Sequence, residues 1–323
     1  MTRSKENVVI AAEGCSVTLL PALGGKIASI TVNDHELLQP PLAPYAPRTH
    51  ETPFDASDAS GWDECLPSVA ACTVSTESGP ASVPDHGDLW RVPWEVLSHS
   101  AESAVLRAQC FSLPLELTRS IAIHSIPTGS ILDVRYTLVN NGNHVAPWSW
   151  AAHSLFSVEP GDSLHLPEEI STLRLEGSGN NRLGRSGDTV SWPIANLPDG
   201  SQSDLRLVQP AASEIGDKLF AGPITHPANG WCVLERPSVG LRLTIKFDVA
   251  STPYLGLWIC YGGWPSRPGP KQVCIAPEPA TAPVDSLAVE GPWTRRLNPG
   301  ESVSWSVHLV IEDLAHPSSL PKH

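Results

Sequence analysis

Hydrophobic positions along the chain recur mainly with a period of two. In LRLTIKF, Leu241, Leu243, Ile245 and Phe247 fall on one side, and Arg242, Thr244 and Lys246 on the other. Such alternation marks a strand with one buried face. Comparable short runs, rich in Val, Ile, Leu and Thr, are NVVIAA (8–12 at its core), CSVTLL, KIASITV, SAVLRAQCF, LELTRSIAI and SILDVRYTLVN. The second half adds GWCVLER, VGLRLTIKFDV, YLGLWICYG and ESVSWSVHLVI. Between them lie 32 prolines and 24 glycines, which break and weaken helices. Convincing amphipathic helices are absent, and the best candidate is a short one near Val284 to Glu290. The Pro-rich stretch 39–53 and the Gly/Ser/Asn-rich stretch 176–188 read as long loops, and neither resembles a domain linker, because the strand pattern continues on both sides of each. No repeat of fixed period is present. Many short strands with frequent turn signals predict an all-β sandwich or barrel, with more than about a third of residues in strands and under about a tenth in helix.

Length changes this picture little. The chain has 323 residues, and β-sandwiches routinely exceed 200 as one unit, so one domain over 1–323 is expected. Hydrophobic residues are 41% and charged residues 17%, below the roughly 25% charged of an average globular protein. The chain therefore reads as globular. Its formal net charge of −13 argues against nucleic acid, which needs a basic footprint, and against an anionic membrane surface. A neutral polar ligand is compatible with it. Seven scattered cysteines, none in a C-x-x-C pair, read as reduced, mostly buried thiols. The opening MTRSKENVVIAAEG has no apolar stretch long enough for a signal peptide, and no window approaches the roughly 20 apolar residues of a membrane helix. The expected location is the cytoplasm, as a monomer or homodimer.

Candidate chemistry concentrates in four segments where polar groups sit among aromatics. These are GWDECLPS (Trp62, Asp63, Glu64), PDHGDLWR (Asp85, His86, Asp88, Trp90, Arg91), WSWAAHSLF (His153) and GLWICYGGWP with APEPATAPVDSL (Trp258, Gly262, Gly263, Glu278, Asp285). Eleven tryptophans against one methionine supply flat faces that suit the C–H faces of sugar rings. Taken singly, each feature has a plainer meaning. A tryptophan fills a core, a histidine in an apolar run is a hydrogen-bonded core residue, and Glu278 between Pro277 and Pro279 is a solvated loop residue. H-E-x-x-H, paired metal-spaced histidines, G-x-S-x-G, G-x-x-x-x-G-K-[ST] and G-x-G-x-x-G after a strand are all absent. Metal, serine-elbow and nucleotide chemistry therefore lack support.

Taken together and in order, these segments resemble the aldose 1-epimerase (galactose mutarotase-like) family from about Gly61 to Leu287. The matching elements are GWDECLP, HGDLW, WAAHSLF, DKLF (217–220), then GLWICYGG and EPATAPVDSL. The resemblance implies a large twisted antiparallel β-sandwich, a supersandwich, with an open concave sugar-binding cleft and neither metal nor cofactor. It implies Glu278 as catalytic base and His153 as catalytic acid in the interconversion of α and β anomers. It further implies His86, Asp217 and Asp63 as holders of sugar hydroxyls, with Trp258 lining the cleft. Two departures stand out. The Asn-Arg pair that many mutarotases carry upstream of the first histidine is missing, and Ala282 replaces a usual glycine.

Two other classes fit the same residues. A non-catalytic carbohydrate-binding module needs the sandwich and aromatics but not both His153 and Glu278. A glycoside hydrolase needs two carboxylates roughly 5–10 Å apart, which Glu278 with Asp63 or Asp85 would supply. Geometry separates the three. His153 facing Glu278 across a cleft favours an isomerase acting on a free or phosphorylated sugar, facing carboxylates favour hydrolysis, and neither arrangement favours the binding module.

Overall fold

The computed structural model describes residues 7–315. The first six residues, included in the reading for a signal peptide, lie outside that range. About half of the chain is in strands. Helical structure among the described residues is confined to four three-residue 3₁₀ turns, at Leu89–Arg91, Gly179–Asn181, Ala211–Ser213 and Pro227–Asn229. No helix there is long and apolar enough to cross a membrane. Every strand run anticipated above is present.

Two large antiparallel sheets dominate. The main path of the 12-stranded sheet runs Val8–Ala12, Cys15–Leu20, Lys26–Val32, Trp62–Cys65, Ala151–Ser154, Val273–Ala280, Tyr254–Tyr261, Ile215–Ala221, Thr172–Ser178, Thr189–Ser191. The 8-stranded sheet runs Ser163–His165, Trp231–Arg236, Leu241–Phe247, Ser302–Asp313, Gly129–Asn140, Leu115–Ile126, Ser103–Gln109, Glu95–His99. One continuous hydrophobic cluster joins their inner faces, with Val17, Ile30 and Leu257 from the first sheet and Leu117, Val134 and Leu309 from the second. This is a β-sandwich, and alternation along each strand decides which residues enter it.

The core also holds a charge pair. Glu64 and Arg119 are both fully buried and 2.9 Å apart. Tyr136 Oη and Trp150 Nε1 each donate to the Glu64 carboxylate at 3.0 Å. Both carboxylate oxygens are thereby satisfied, which a buried charge requires.

Three local expectations are corrected. Residues 284–290 form bends and turns and no helix. The Asp285 carbonyl accepts from the Val69 and Ala70 N–H groups, and the Leu287 N–H donates to Ser68 Oγ, while the bonds along the segment are the short turn contacts of Ser286 with Ala288 and Val289. Residues 176–178, expected in a loop, close the strand Thr172–Ser178. Glu278 and its flanking prolines lie inside the strand Val273–Ala280. Prolines are tolerated there because of where the missing donors point. Thr281 N–H, of the same parity as Pro277 and Pro279, donates to Trp150 O. The two prolines therefore lack an N–H only towards the strand Ala151–Ser154, where the ladder is reduced to the pair Ala151↔Ala280. Ser154 Oγ bridges the gap by donating to Pro277 O.

Candidate active site

Inward residues of the 12-stranded sheet build the core, and outward residues at its centre build a cleft. On Val273–Ala280 the outward set includes Glu278, on Tyr254–Tyr261 it includes Gly256 and Trp258, and on Ile215–Ala221 it includes Lys218. His153, Lys218, Glu278, His86 and Asp285 line a cavity of about 300 Å³ with the rings of Phe54, Trp258 and Trp264. Its size sits at the lower end of small-molecule sites.

His153 and Glu278 face one another, with Nε2 3.9 Å from Oε1. The Glu278 side chain is fully buried and that of His153 is 7% exposed. Glu278 Oε2 accepts from the Lys218 ammonium, while Oε1 has no hydrogen-bond partner. Lys218 also approaches Asp285 Oδ1 at 3.8 Å. Gly256 stands opposite Glu278 in the ladder. A Cβ there would lie 3.2 Å from Glu278 Oε2 and 3.1 Å from Phe220, so the absence of a side chain makes room for the carboxylate.

Opposing effects set the electrostatics. Burial pushes the Glu278 carboxyl above its ordinary value, and Lys218 pulls it partly back. Burial, then the neighbouring His86, Lys218 and Lys26 side chains, hold His153 well below the usual imidazole range. Burial works against the charge on Lys218, but Glu278 and Asp285 outweigh it and keep the ammonium protonated. The proton affinities of acid and base are thus moved toward each other.

His86 adopts a left-handed backbone, φ +58°, a conformation that costs a non-glycine residue energy and collects at functional sites. Its ring stacks on Phe54 with centroids 3.7 Å apart and meets His153 edge-on at 5.1 Å. Asp85 Oδ2 lies 2.9 Å from His86 Nδ1. Trp258 Nε1 donates to Gln272 Oε1 at 2.9 Å, which fixes the indole against the cleft.

The structure therefore brings together Glu278, His153, His86 and Trp258. It does not bring in the other two expected residues. Asp217 is fully buried on the core side of its strand, where Ser178 Oγ donates to it at 2.6 Å and Arg182 pairs with it. Asp63 stands opposite His153 in the ladder but does not line the cavity. Its carboxylate is taken up by Lys26, which also reaches Asp58 at 3.0 Å. Neither carboxylate lines the cavity, so the structure does not bring these two residues to the cleft. Its absence from the cavity removes Asp63 as the second carboxylate of a hydrolase, and Asp85, which does line the cavity, is hydrogen-bonded to His86. Lys218 and Phe54 were not anticipated. Period-two parity in IGDKLFA was the available signal for Lys218, because it puts Asp217 and Lys218 on opposite faces.

No family model matches the chain, and no curated protein matches it in sequence. Solved structures do match. A protein from Synechocystis sp. superposes with TM-score 0.70 at 18% identity over 96% of both chains. A galactose mutarotase related enzyme from Lactobacillus acidophilus gives 0.66 at 12% identity, over 96% of this chain and 98% of that one. A GalM/aldose epimerase homologue from C. elegans gives 0.63 at 15% identity, over 96% and 100%. The chain has the galactose mutarotase-like fold. Within that fold, the cleft described above lies on the outer face of the larger sheet.

Proposed function

We propose that the protein is an isomerase of the aldose 1-epimerase type, interconverting the α and β anomers of an aldose by acid–base ring opening. The observation that carries this reading is the His153–Glu278 pair facing one cavity with aromatic walls. The two oxygens on an anomeric carbon are separated by a single atom. An acid and a base a few ångströms apart can therefore reach one each.

In the reactive arrangement Glu278 is a carboxylate and His153 an imidazolium. Glu278 Oε1, free because Lys218 holds Oε2, takes the proton of the anomeric hydroxyl. The bond from the anomeric carbon to the ring oxygen breaks, its electron pair stays on the ring oxygen, and His153 Nε2 protonates that oxygen. The aldehyde formed turns about its C1–C2 bond. Closure on the other face returns both protons. Between these half-cycles the pair passes from carboxylate plus imidazolium to carboxylic acid plus imidazole. Raising the carboxyl and lowering the imidazole brings those two states closer in free energy, and proton transfer is most efficient when donor and acceptor are matched. His86 and Asp285 supply polar contacts to the remaining hydroxyls, and Phe54, Trp258 and Trp264 supply apolar faces.

The direct test is polarimetry on freshly dissolved single anomers across a panel of free and phosphorylated aldoses. At least one should relax faster in proportion to protein concentration. Uncatalysed rates for the whole panel, with the protein folded, would refute the proposal.

A further inference from the structure

The opposite face of the sandwich carries a constellation that the cleft does not use. In the strand Ser302–Asp313, Trp305, Val307 and Leu309 enter the core, which leaves Ser306 and His308 on the outer surface of the smaller sheet. Asp133 stands directly opposite His308 on one side and Lys246 directly opposite on the other. Directly paired residues have Cβ atoms only about 5 Å apart. His308 Nδ1 is hydrogen-bonded to Asp133 Oδ1, and His308 Nε2 lies 3.2 Å from Ser306 Oγ. The other Asp133 oxygen has His124 Nε2 at 3.5 Å and Arg135 at 4.0 Å. Ser306 and His308 line a cavity of about 410 Å³ together with Lys246, Trp231 and Asp248.

The order of contacts is carboxylate to Nδ1 and hydroxyl to Nε2. A carboxylate on Nδ1 fixes the imidazole proton there and leaves Nε2 to accept the serine proton, which is the logic of an activated serine. We infer that Ser306, His308 and Asp133 form a nucleophilic triad that cleaves small carboxylic esters, separate from the sugar cleft. Ser306 Oγ adds to the ester carbonyl carbon as its proton passes to His308 Nε2. The negative charge develops on the carbonyl oxygen, where the Lys246 ammonium in the same cavity stabilises it. The carbon–oxygen bond to the alcohol then breaks, and the alcohol leaves with the proton from Nε2. Water, deprotonated by the same nitrogen, adds to the acyl carbon; the bond from that carbon to Ser306 Oγ then breaks, Nε2 returns its proton to Oγ, and the acid leaves. The indole of Trp231, opposite Lys246 in the next ladder, favours esters with an apolar acyl group.

The test uses the full-length protein, a fluorophosphonate probe with peptide mapping by mass spectrometry, and hydrolysis of p-nitrophenyl acetate. The expected result is one adduct, on Ser306. It should be lost in Ser306→Ala and formed roughly 100-fold more slowly in His308→Asn, with ester hydrolysis reduced in parallel. Ser306→Ala should leave anomer interconversion unchanged, which reports that the chain is folded. An unlabelled Ser306 in the folded protein overturns the inference, as does labelling at the same rate in His308→Asn.

Discussion

Lys218→Met replaces the ammonium that pairs with the proposed base by an apolar chain of similar length. The side chain is 11% exposed, and Glu278 beneath it is fully buried. A hydrogen bond to a charged group contributes about 1.5–3 kcal/mol. Each 1.36 kcal/mol is tenfold in rate, so kcat/KM on the acidic side of the pH profile should fall roughly 10-fold or more. Lys218 lowers the proton affinity of both Glu278 and His153. The pair reacts when it holds one proton, so activity is lost as pH falls, when both groups are protonated, and as pH rises, when both are bare. Without Lys218 both affinities increase. The whole bell should therefore move to higher pH, and activity lost at low pH should partly return at high pH. The two limbs belong to the coupled pair and not to either residue alone. Removing one partner of a buried ion pair also costs about 3–5 kcal/mol of stability, so near-UV circular dichroism must accompany the kinetics. A folded variant whose profile superimposes on that of the unmutated protein, in height and position, would refute the reasoning.

Other outcomes follow from the same structure. Glu64→Leu leaves Arg119 buried without its partner and should destabilise the fold by roughly 3–5 kcal/mol, read from denaturant unfolding. Gly256→Ala places a methyl against Glu278 and Phe220 and should lower kcat by up to roughly 10²-fold with the melting temperature little changed. Among the described residues no group of three His, Cys, Asp or Glu side chains is placed to hold a metal ion, so dialysis against EDTA should leave the rate unchanged.

The architecture was largely legible because strand alternation is a local property. In LRLTIKF the side chains at 241, 243, 245 and 247 are buried as the pattern requires. What was not legible depends on which outward face meets which loop. DKLF marked the right strand, yet only the fold shows that Asp217 turns inward to Arg182 while Lys218 turns to the cleft. Asp63 was drawn into the candidate site by its neighbourhood in sequence, but Lys26, thirty-seven positions earlier, takes it. Phe54 sits in a segment of no regular structure that carries no chemical motif, so nothing in the sequence marked it as the platform under His86. Glu278 looked like a loop residue because two prolines flank it. The strand survives because both missing donors face a gap in the ladder.

The most direct measurement is proton exchange NMR of anomer interconversion for the best aldose, with the unmutated protein, Glu278→Gln, His153→Asn and the double variant. If Glu278 and His153 share one acid–base cycle, each single substitution slows exchange by roughly 10²-fold or more. The double variant then loses little beyond the worse single one, because groups acting as a unit are non-additive. Near wild-type exchange in both folded single variants would contradict the account.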